Sequence, residues 1–326
     1  MVNRKQAAWY SVRCRFALMT GGGQFGKSLI MADTNASNTE HDQNWEVLAP
    51  AEQTVAVVVA SPHSGKAYPA DFVANSPLDL LALRRSEDSF VDELMAAAPD
   101  HGIPLLRALF PRAYIDPNRE PFELDPEMFE DALPDYANTQ SSRVAAGLGT
   151  IARVVSSGQE IYSKKLKFSD AAARINANYR PYHRTLRELL NTTRRRFGHY
   201  VLLDCHSMPS VGGPHDPDAG RRRADMVLGD CFASTCSEQV VGLVEQTLVA
   251  RGYQVVRNKP FAGGFTTRHY GRPAQGLHTL QIEINRGLYM DEAAIKPNGG
   301  MAKLATDMTA LLGALAQMDG GNLQPK

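Results

Sequence analysis

An α/β domain built on a mixed, largely parallel sheet flanked by helices is what this sequence predicts. Three observations lead there. Residues 54–60 are an unbroken β-branched apolar run and residues 200–204 are a second one, the pattern of strands buried on both faces. Residues 280–286 alternate, with Leu280, Ile282 and Ile284 on one side and Gln281, Glu283 and Asn285 on the other. Helical periodicity falls between these runs instead of collecting at one end, which argues against an all-α or an all-β fold.

The bulk numbers agree with a folded chain. Of 326 residues, 43% are hydrophobic and 21% charged, enough to build a sizeable core. Thirty-five basic residues balance thirty-five acidic ones, so no net field points to nucleic acid or an anionic membrane as partner. Cys14, Cys205, Cys231 and Cys236 show no C-x-x-C pairing, which predicts reduced thiols and a cytoplasmic location. A run of about 18 apolar residues, the minimum for a spanning helix, does not occur. The pattern carries no signal for an oligomeric state.

From the N-terminus, residues 1–45 predict a disordered tail. Arg4, Lys5, Arg13, Arg15 and Lys27 precede the first acid, Asp33. That is the composition of a transit peptide, and equally of an over-extended start ahead of Met19 or Met31. Within the tail, Gly21-Gly22-Gly23-Gln24-Phe25-Gly26-Lys27-Ser28 matches the phosphate-loop pattern G-x-x-x-x-G-K-S. A working phosphate loop needs a buried strand before it and a helix after it. Ser28 is followed by four apolar residues and then by a polar run from Asp33 to Glu40, so the match is set aside. Residues 46–326 show no dividing linker and predict a single catalytic domain.

In that domain the strand over 54–60 ends in Ser61-Pro62-His63-Ser64-Gly65. Helical patterns follow over 78–98 and 169–197. Pro181 should kink or split the second, and Gly198 should stop it. The strand over 200–204 ends in Cys205-His206-Ser207-Met208-Pro209-Ser210. A helix is then expected from Ser237 as N-cap, through Val240, Val241, Val244 and Leu248, to Gly252, with a short strand over 253–256. The loop over 258–276, rich in Gly, Arg and aromatic residues, has the length and composition of a functional, substrate-covering segment.

Two histidines thus sit just beyond the ends of two buried strands, where open α/β sheets collect ligands. With one acid, His63 and His206 would give the three protein ligands of a catalytic zinc, leaving a fourth position for water. Glu87 and Asp88 are both candidates for that acid, in a stretch that also suits an ordinary acid-rich helix start. Glu283, projecting from a strand, is placed for general-base work. Arg112 and Arg119, seven residues apart around Asp116-Pro117-Asn118, suit carboxylate or oxyanion recognition. An ordinary surface turn with an Asp–Arg pair would look the same. Arg268 and His269 add a cation and an imidazole beside flexible glycines.

Together Ser61-Pro62-His63-Ser64-Gly65, Asp116-Pro117-Asn118-Arg119, Tyr182-His183, Asp204-Cys205-His206-Ser207-Met208-Pro209, Asn258-Lys259-Pro260-Phe261-Ala262-Gly263-Gly264 and Gln281-Ile282-Glu283-Ile284-Asn285-Arg286 resemble the N-formylglutamate amidohydrolase family over roughly residues 50–316. The resemblance implies a fold similar to zinc carboxypeptidases and aspartoacylases. It also implies a zinc-dependent deformylase that releases formate from N-formyl-L-glutamate in histidine degradation. By the same resemblance His63, Asp88 and His206 are the metal ligands and Glu283 the general base. Ser89 and Phe90 stand where family members often carry an aromatic residue and a histidine, and Phe90 cannot ligate. Arg112 falls where an oxyanion-stabilising arginine is expected, and Asn118 with Arg119 is similar to an Asn–Arg pair that grips the substrate carboxylate. Arg268 and Arg286 are candidates for the second carboxylate, and His183 and His269 for further substrate hydrogen bonds or fold support. Two other readings fit the residues: a related zinc hydrolase of another N-acyl amino acid or small peptide, and a metal-free amino-acid-binding module on the same scaffold.

Overall fold

The computed structural model describes residues 44–325 apart from 214, 215 and 217, and these belong to one compact unit. The phosphate-loop match over 21–28 and the predicted tail up to residue 43 lie outside the described residues.

Seven strands form the central sheet: β1 (Trp45–Leu48), β2 (Val57–Ser61), β3 (Leu105–Ala108), β4 (Tyr200–Met208), β5 (Met226–Gly229), β6 (Val255–Arg257) and β7 (Leu277–Asn285). Their order is β1-β3-β2-β4-β7-β5-β6. The centre is parallel, and β1 on β3 and β5 on β7 are antiparallel, so the mixed, largely parallel sheet is as expected. β1 opens at Trp45, one residue ahead of the predicted domain start.

Alternation along β2, β4 and β7 sends side chains to two cores. Val57, Val59, Val201, Leu203, Leu280, Ile282 and Ile284 join one apolar cluster, buried against α3 (Val91–Leu94), α7 (Glu238–Val249) and α9 (Met301–Ala316). Val58, Ala60 and Leu202 join the other. That cluster is covered by α5 (Phe168–Arg174), a π-helical turn (Ile175–Tyr179) and α6 (Arg180–Phe197). Fully burying each large aliphatic side chain is worth about 1.5–3 kcal/mol. The strand ends of this second face, beyond the reach of α6, carry the polar side chains described below.

One helical expectation is corrected. Over 78–98 the chain does not form one helix. It makes α2 (Leu80–Arg84), breaks, and resumes at α3, because Phe90 is left-handed at φ 69°. A bulky residue with that backbone costs about 1–3 kcal/mol unless its surroundings enforce it, and the break is where Asp88 is presented. Pro181 lies in the first turn of α6, and the α-helical pattern is interrupted there as expected, by a change of pitch that leaves α5 and α6 on either side of the π turn. The π turn widens the spiral just ahead of Pro181, which accommodates the missing N–H and the ring. The helix over 238–249 begins after Ser237 as expected, although the Ser237 hydroxyl makes no capping bond. Remaining short helices are α1 (Ala70–Ala74), α4 (Ser142–Ala145) and α8 (Phe265–Tyr270). Among the described residues no helix is long and apolar enough to cross a membrane.

Candidate functional site

The site grows from the turn after β2. Ser64 Oγ donates to the Asp88 carbonyl at 3.1 Å and accepts the Asp92 N–H, while Asp88 N–H donates to the His63 carbonyl at 3.0 Å. These bonds zip the His63 turn to the break between α2 and α3. His63 lies two residues past β2, as expected, whereas His206 lies inside β4, which runs four residues further than the sequence pattern suggested. The longer strand has a consequence: in the parallel β4–β7 register His206 sits directly opposite Glu283.

Three donor atoms converge. Asp88 Oδ2 is 3.1 Å from His63 Nδ1 and 3.0 Å from His206 Nδ1, and the two ring nitrogens are 3.1 Å apart. All three residues are at most 2% exposed, so solvent does not separate them. His63 Nε2 faces Asp116 Oδ1 at 2.7 Å. Since a carboxylate only accepts, that nitrogen carries the proton and leaves Nδ1 as a bare lone pair. Two imidazoles and a carboxylate so arranged are a set of donors that fits zinc, and His63, Asp88 and His206 are the residues that would hold it. Of the two candidate acids, Asp88 is the one at this point. Glu87 turns away to Arg84 and Ser89.

Each donor is held from behind. Arg286 Nη2 donates to Asp88 Oδ1 at 3.0 Å, its Nε to Ser207 Oγ and its Nη1 to the Arg85 carbonyl. Its guanidinium is therefore turned onto a ligand, and this structure does not offer it as a free clamp for a substrate carboxylate. Asp116 accepts from Arg112 Nη2 at 2.8 Å. His206 Nε2 has Asn118 Nδ2 at 3.2 Å and Asp204 Oδ2 at 3.0 Å. Asp204 makes no directed hydrogen bond, so its contact with His206 is a charge contact.

The electrostatics follow. Burial opposes ionisation of Asp88, but its contacts with His206 and His63 and the charge of Arg112 outweigh it and hold the carboxyl well below its usual range. Burial likewise disfavours a charged His206, yet Asp204, Asp88 and Glu283 around it drive its pKa up. The same negative surroundings favour a cation between the ligands. Glu283 accepts from Gln281 Nε2 at 2.8 Å. Its pKa is pushed up to about 7, first by burial and also by Asp88, against the pull of His206, Arg112 and Arg286.

A cavity of about 240 Å³ opens on this cluster and is lined by Arg112, Asn118, Arg119 and Glu283 as well as by the three donors. A larger depression of about 740 Å³, around Tyr114, Tyr162 and Arg174, lies away from the donors. Arg119 is buried and spends Nε on the Leu148 carbonyl and Nη1 on the Asn118 carbonyl. His183 is not in the cavity wall. Its ring spans the Pro117 carbonyl at 2.7 Å and the Tyr270 hydroxyl at 2.8 Å, bracing the turn that carries Asn118. Arg268 and His269 are exposed on α8 and line a neighbouring depression. The segment over 258–276, expected to cover substrate, carries α8 and is bonded to the site: Gly264 N–H donates to Gln281 and Thr266 N–H to Asn118 Oδ1. Asp116, Asp204, Gln281 and Arg143 were missed as site residues. Asp116 stood inside a quoted motif, but its acidic character read as a surface pair with Arg112.

Comparison with known proteins points the same way as this geometry. The family model described as N-formylglutamate amidohydrolase matches residues 55–290. A crystal structure of N-formylglutamate amidohydrolase from Ralstonia eutropha JMP134 superposes with a TM-score of 0.78 at 38% identity, covering 84% of this chain and 98% of that one. A Pseudomonas aeruginosa protein named N-formylglutamate deformylase is 30% identical over 275 residues, 83% of this chain and 95% of its own length. One of the same name from Pseudomonas putida is 29% identical over 253 residues, 76% of this chain and 86% of its own. With the family model spanning well over half the sequence, this chain belongs to the N-formylglutamate amidohydrolase family.

Proposed function

We propose that this chain is a zinc-dependent hydrolase that cleaves N-formyl-L-glutamate to formate and L-glutamate. The observation that carries the reading is the convergence of His63 Nδ1, Asp88 Oδ2 and His206 Nδ1 beside a buried carboxylate, Glu283, in one cavity. The names carried by the bacterial relatives supply the substrate.

When bound by His63, Asp88 and His206, zinc would polarise the formyl carbonyl and bring the pKa of water toward about 7. Glu283 is the base. With its pKa near 7, its carboxylate takes the proton of the attacking water and returns it to the amide nitrogen as the C–N bond breaks, leaving formate and a free amine. Gln281, donating to Glu283 Oε1, holds that carboxylate in one orientation. Arg112, lining the cavity, would meet the carbonyl oxygen as it gains charge. Asn118 and Arg119 would hold the α-carboxylate. Burial of His63, Asp88, His206 and Glu283 keeps bulk water off the ligand cluster and the base.

The test is formate release from N-formyl-L-glutamate by purified protein of known metal content. Glu283→Gln should keep its metal and lose about 10²- to 10⁴-fold in kcat. Near-normal turnover by a fully metal-loaded Glu283→Gln would remove that residue from the base role, and a preference for bulky acyl groups would sink the formylglutamate assignment.

A further inference from the structure

Formylglutamate carries two carboxylates separated by a short methylene chain, and the reading above leaves the second without a partner. The cavity wall contains five guanidinium groups, from Arg112, Arg119, Arg143, Arg223 and Arg286. Four are already engaged by the protein. Arg112 is paired with Asp116, Arg119 with two backbone carbonyls, Arg223 with Asp216 and Asp218, and Arg286 with Asp88. Arg143 is exposed, and among the described residues no carboxylate or carbonyl engages its side chain.

We propose that Arg143 recognises the side-chain carboxylate of the substrate and so sets a preference for N-formyl derivatives of acidic amino acids; this rests on the deformylase reading of the site. An unpaired surface arginine is ordinary, and three observations separate this one from that case. First, its mount is rigid. Ser141 Oγ caps α4 through the Val144 N–H, its hydroxyl is held by Glu123, Val144 is buried, and Leu148 N–H closes on the Arg143 carbonyl at 2.8 Å. The Leu148 carbonyl in turn takes the Arg119 Nε–H at 2.7 Å, tying this loop to the cavity floor.

Second, Leu148, Ala152 and Val154 from the same loop line the cavity and offer apolar surface for the two methylenes. Third, Arg143 lines both this cavity and the outer depression while being exposed, which places it where the cavity meets solvent. Burial, together with the charges of Arg143 and Arg112 and against the pull of Asp116 and Glu123, lowers the pKa of Arg119 to about 10. An entering carboxylate relieves that crowding. Arg268, the sequence-based candidate for this contact, lines only the outer depression and donates to the Gly263 carbonyl.

The experiment compares N-formyl-L-glutamate with its neutral isostere N-formyl-L-glutamine on wild type, Arg143→Ala and Arg143→Lys. Arg143→Ala should raise KM for formylglutamate about 10- to 100-fold, the range for losing a charge-assisted hydrogen bond, with little change in kcat and little effect on formylglutamine. Arg143→Lys should fall between, because it keeps the charge and loses the fork. The ratio of the two substrates on one preparation does not depend on how much protein is active. An unchanged ratio in Arg143→Ala, with wild type active, would overturn the proposal alone. Wild type releasing formate from neither substrate would overturn the deformylase reading, and this proposal with it.

Discussion

Asp116 shows how much a single residue organises here. One oxygen accepts from His63 Nε2 at 2.7 Å and the other from Arg112 Nη2 at 2.8 Å, with Arg119 Nη2 3.6 Å away. Asp116→Asn keeps the shape and removes the charge that fixes the His63 tautomer, so metal affinity should fall about 10- to 100-fold, as read by competitive zinc titration. An unchanged affinity would mean that His63 does not need this partner. His183 carries the pH prediction. Burial lowers its pKa from 6.5 to about 3, so the folded protein keeps it neutral where the unfolded chain protonates it. The resulting stability is complete above pH 6.5 and is lost as pH falls toward 3, by about 1.4 kcal/mol per unit. Urea unfolding between pH 7.5 and 5 should therefore show a shallower loss in His183→Gln than in wild type, and parallel curves would contradict it. At this scale His63 and His206 drew notice by chemical type and strand-end setting and Glu283 by projecting from a strand, whereas the residues alone left Glu87 and Asp88 open, and it is the fold that sets Asp88 beside the two imidazoles. Asp116, 53 residues from the histidine it orients, was not legible, since no local pattern announces a partner so distant. Arg143 was illegible for a different reason: what marks it is that the other arginines are engaged.

Elements place these groups by register and by breaks. Strand alternation over 280–285 was readable, although β7 begins three residues earlier and ends before Arg286, and it sends Gln281 and Glu283 to the cavity while Ile282 and Ile284 enter the core. The extra residues of β4 were not readable, because Cys205, His206 and Ser207 have weaker strand character than the apolar run before them. Neither was the break at Phe90. A positive φ is usually announced by Gly or Asn, and here a phenylalanine adopts it under tertiary constraint. The wall before α8 has a sharper requirement. A Cβ on Gly264 would lie 2.4 Å from Asn118 Nδ2 and 2.5 Å from its Oδ1, so Gly264→Ala must push Asn118 off His206. We expect a loss of about 1–3 kcal/mol in stability together with a fall in kcat/KM for formylglutamate. Native melting and native turnover in that variant would show that the wall can yield.

The whole molecule is what brings the three candidate metal ligands together, and chelation tests whether they hold an ion. His63 and Asp88 are 25 residues apart, and His63 and His206 are 143 apart. In the unfolded chain these groups do not share a volume, so an ion binds the folded state far better than the unfolded one. Free metal at about 100 times Kd then stabilises the fold by about 2.7 kcal/mol. With an unfolding entropy of about 2.1 cal/mol/K per residue, each kcal/mol moves Tm of a domain this large by about 1.7 °C, so stripping the ion should lower Tm by about 4–5 °C, and zinc should restore it. His206→Ala gives the control: its Tm should be lower at the outset and nearly insensitive to chelator, because one of three ligands is gone and the site no longer couples β4 to the turn after β2. If wild type melted at the same temperature with and without chelator, the convergence of the three donors would be a buried hydrogen-bond network serving the fold, and the hydrolytic mechanism would lose its electrophile.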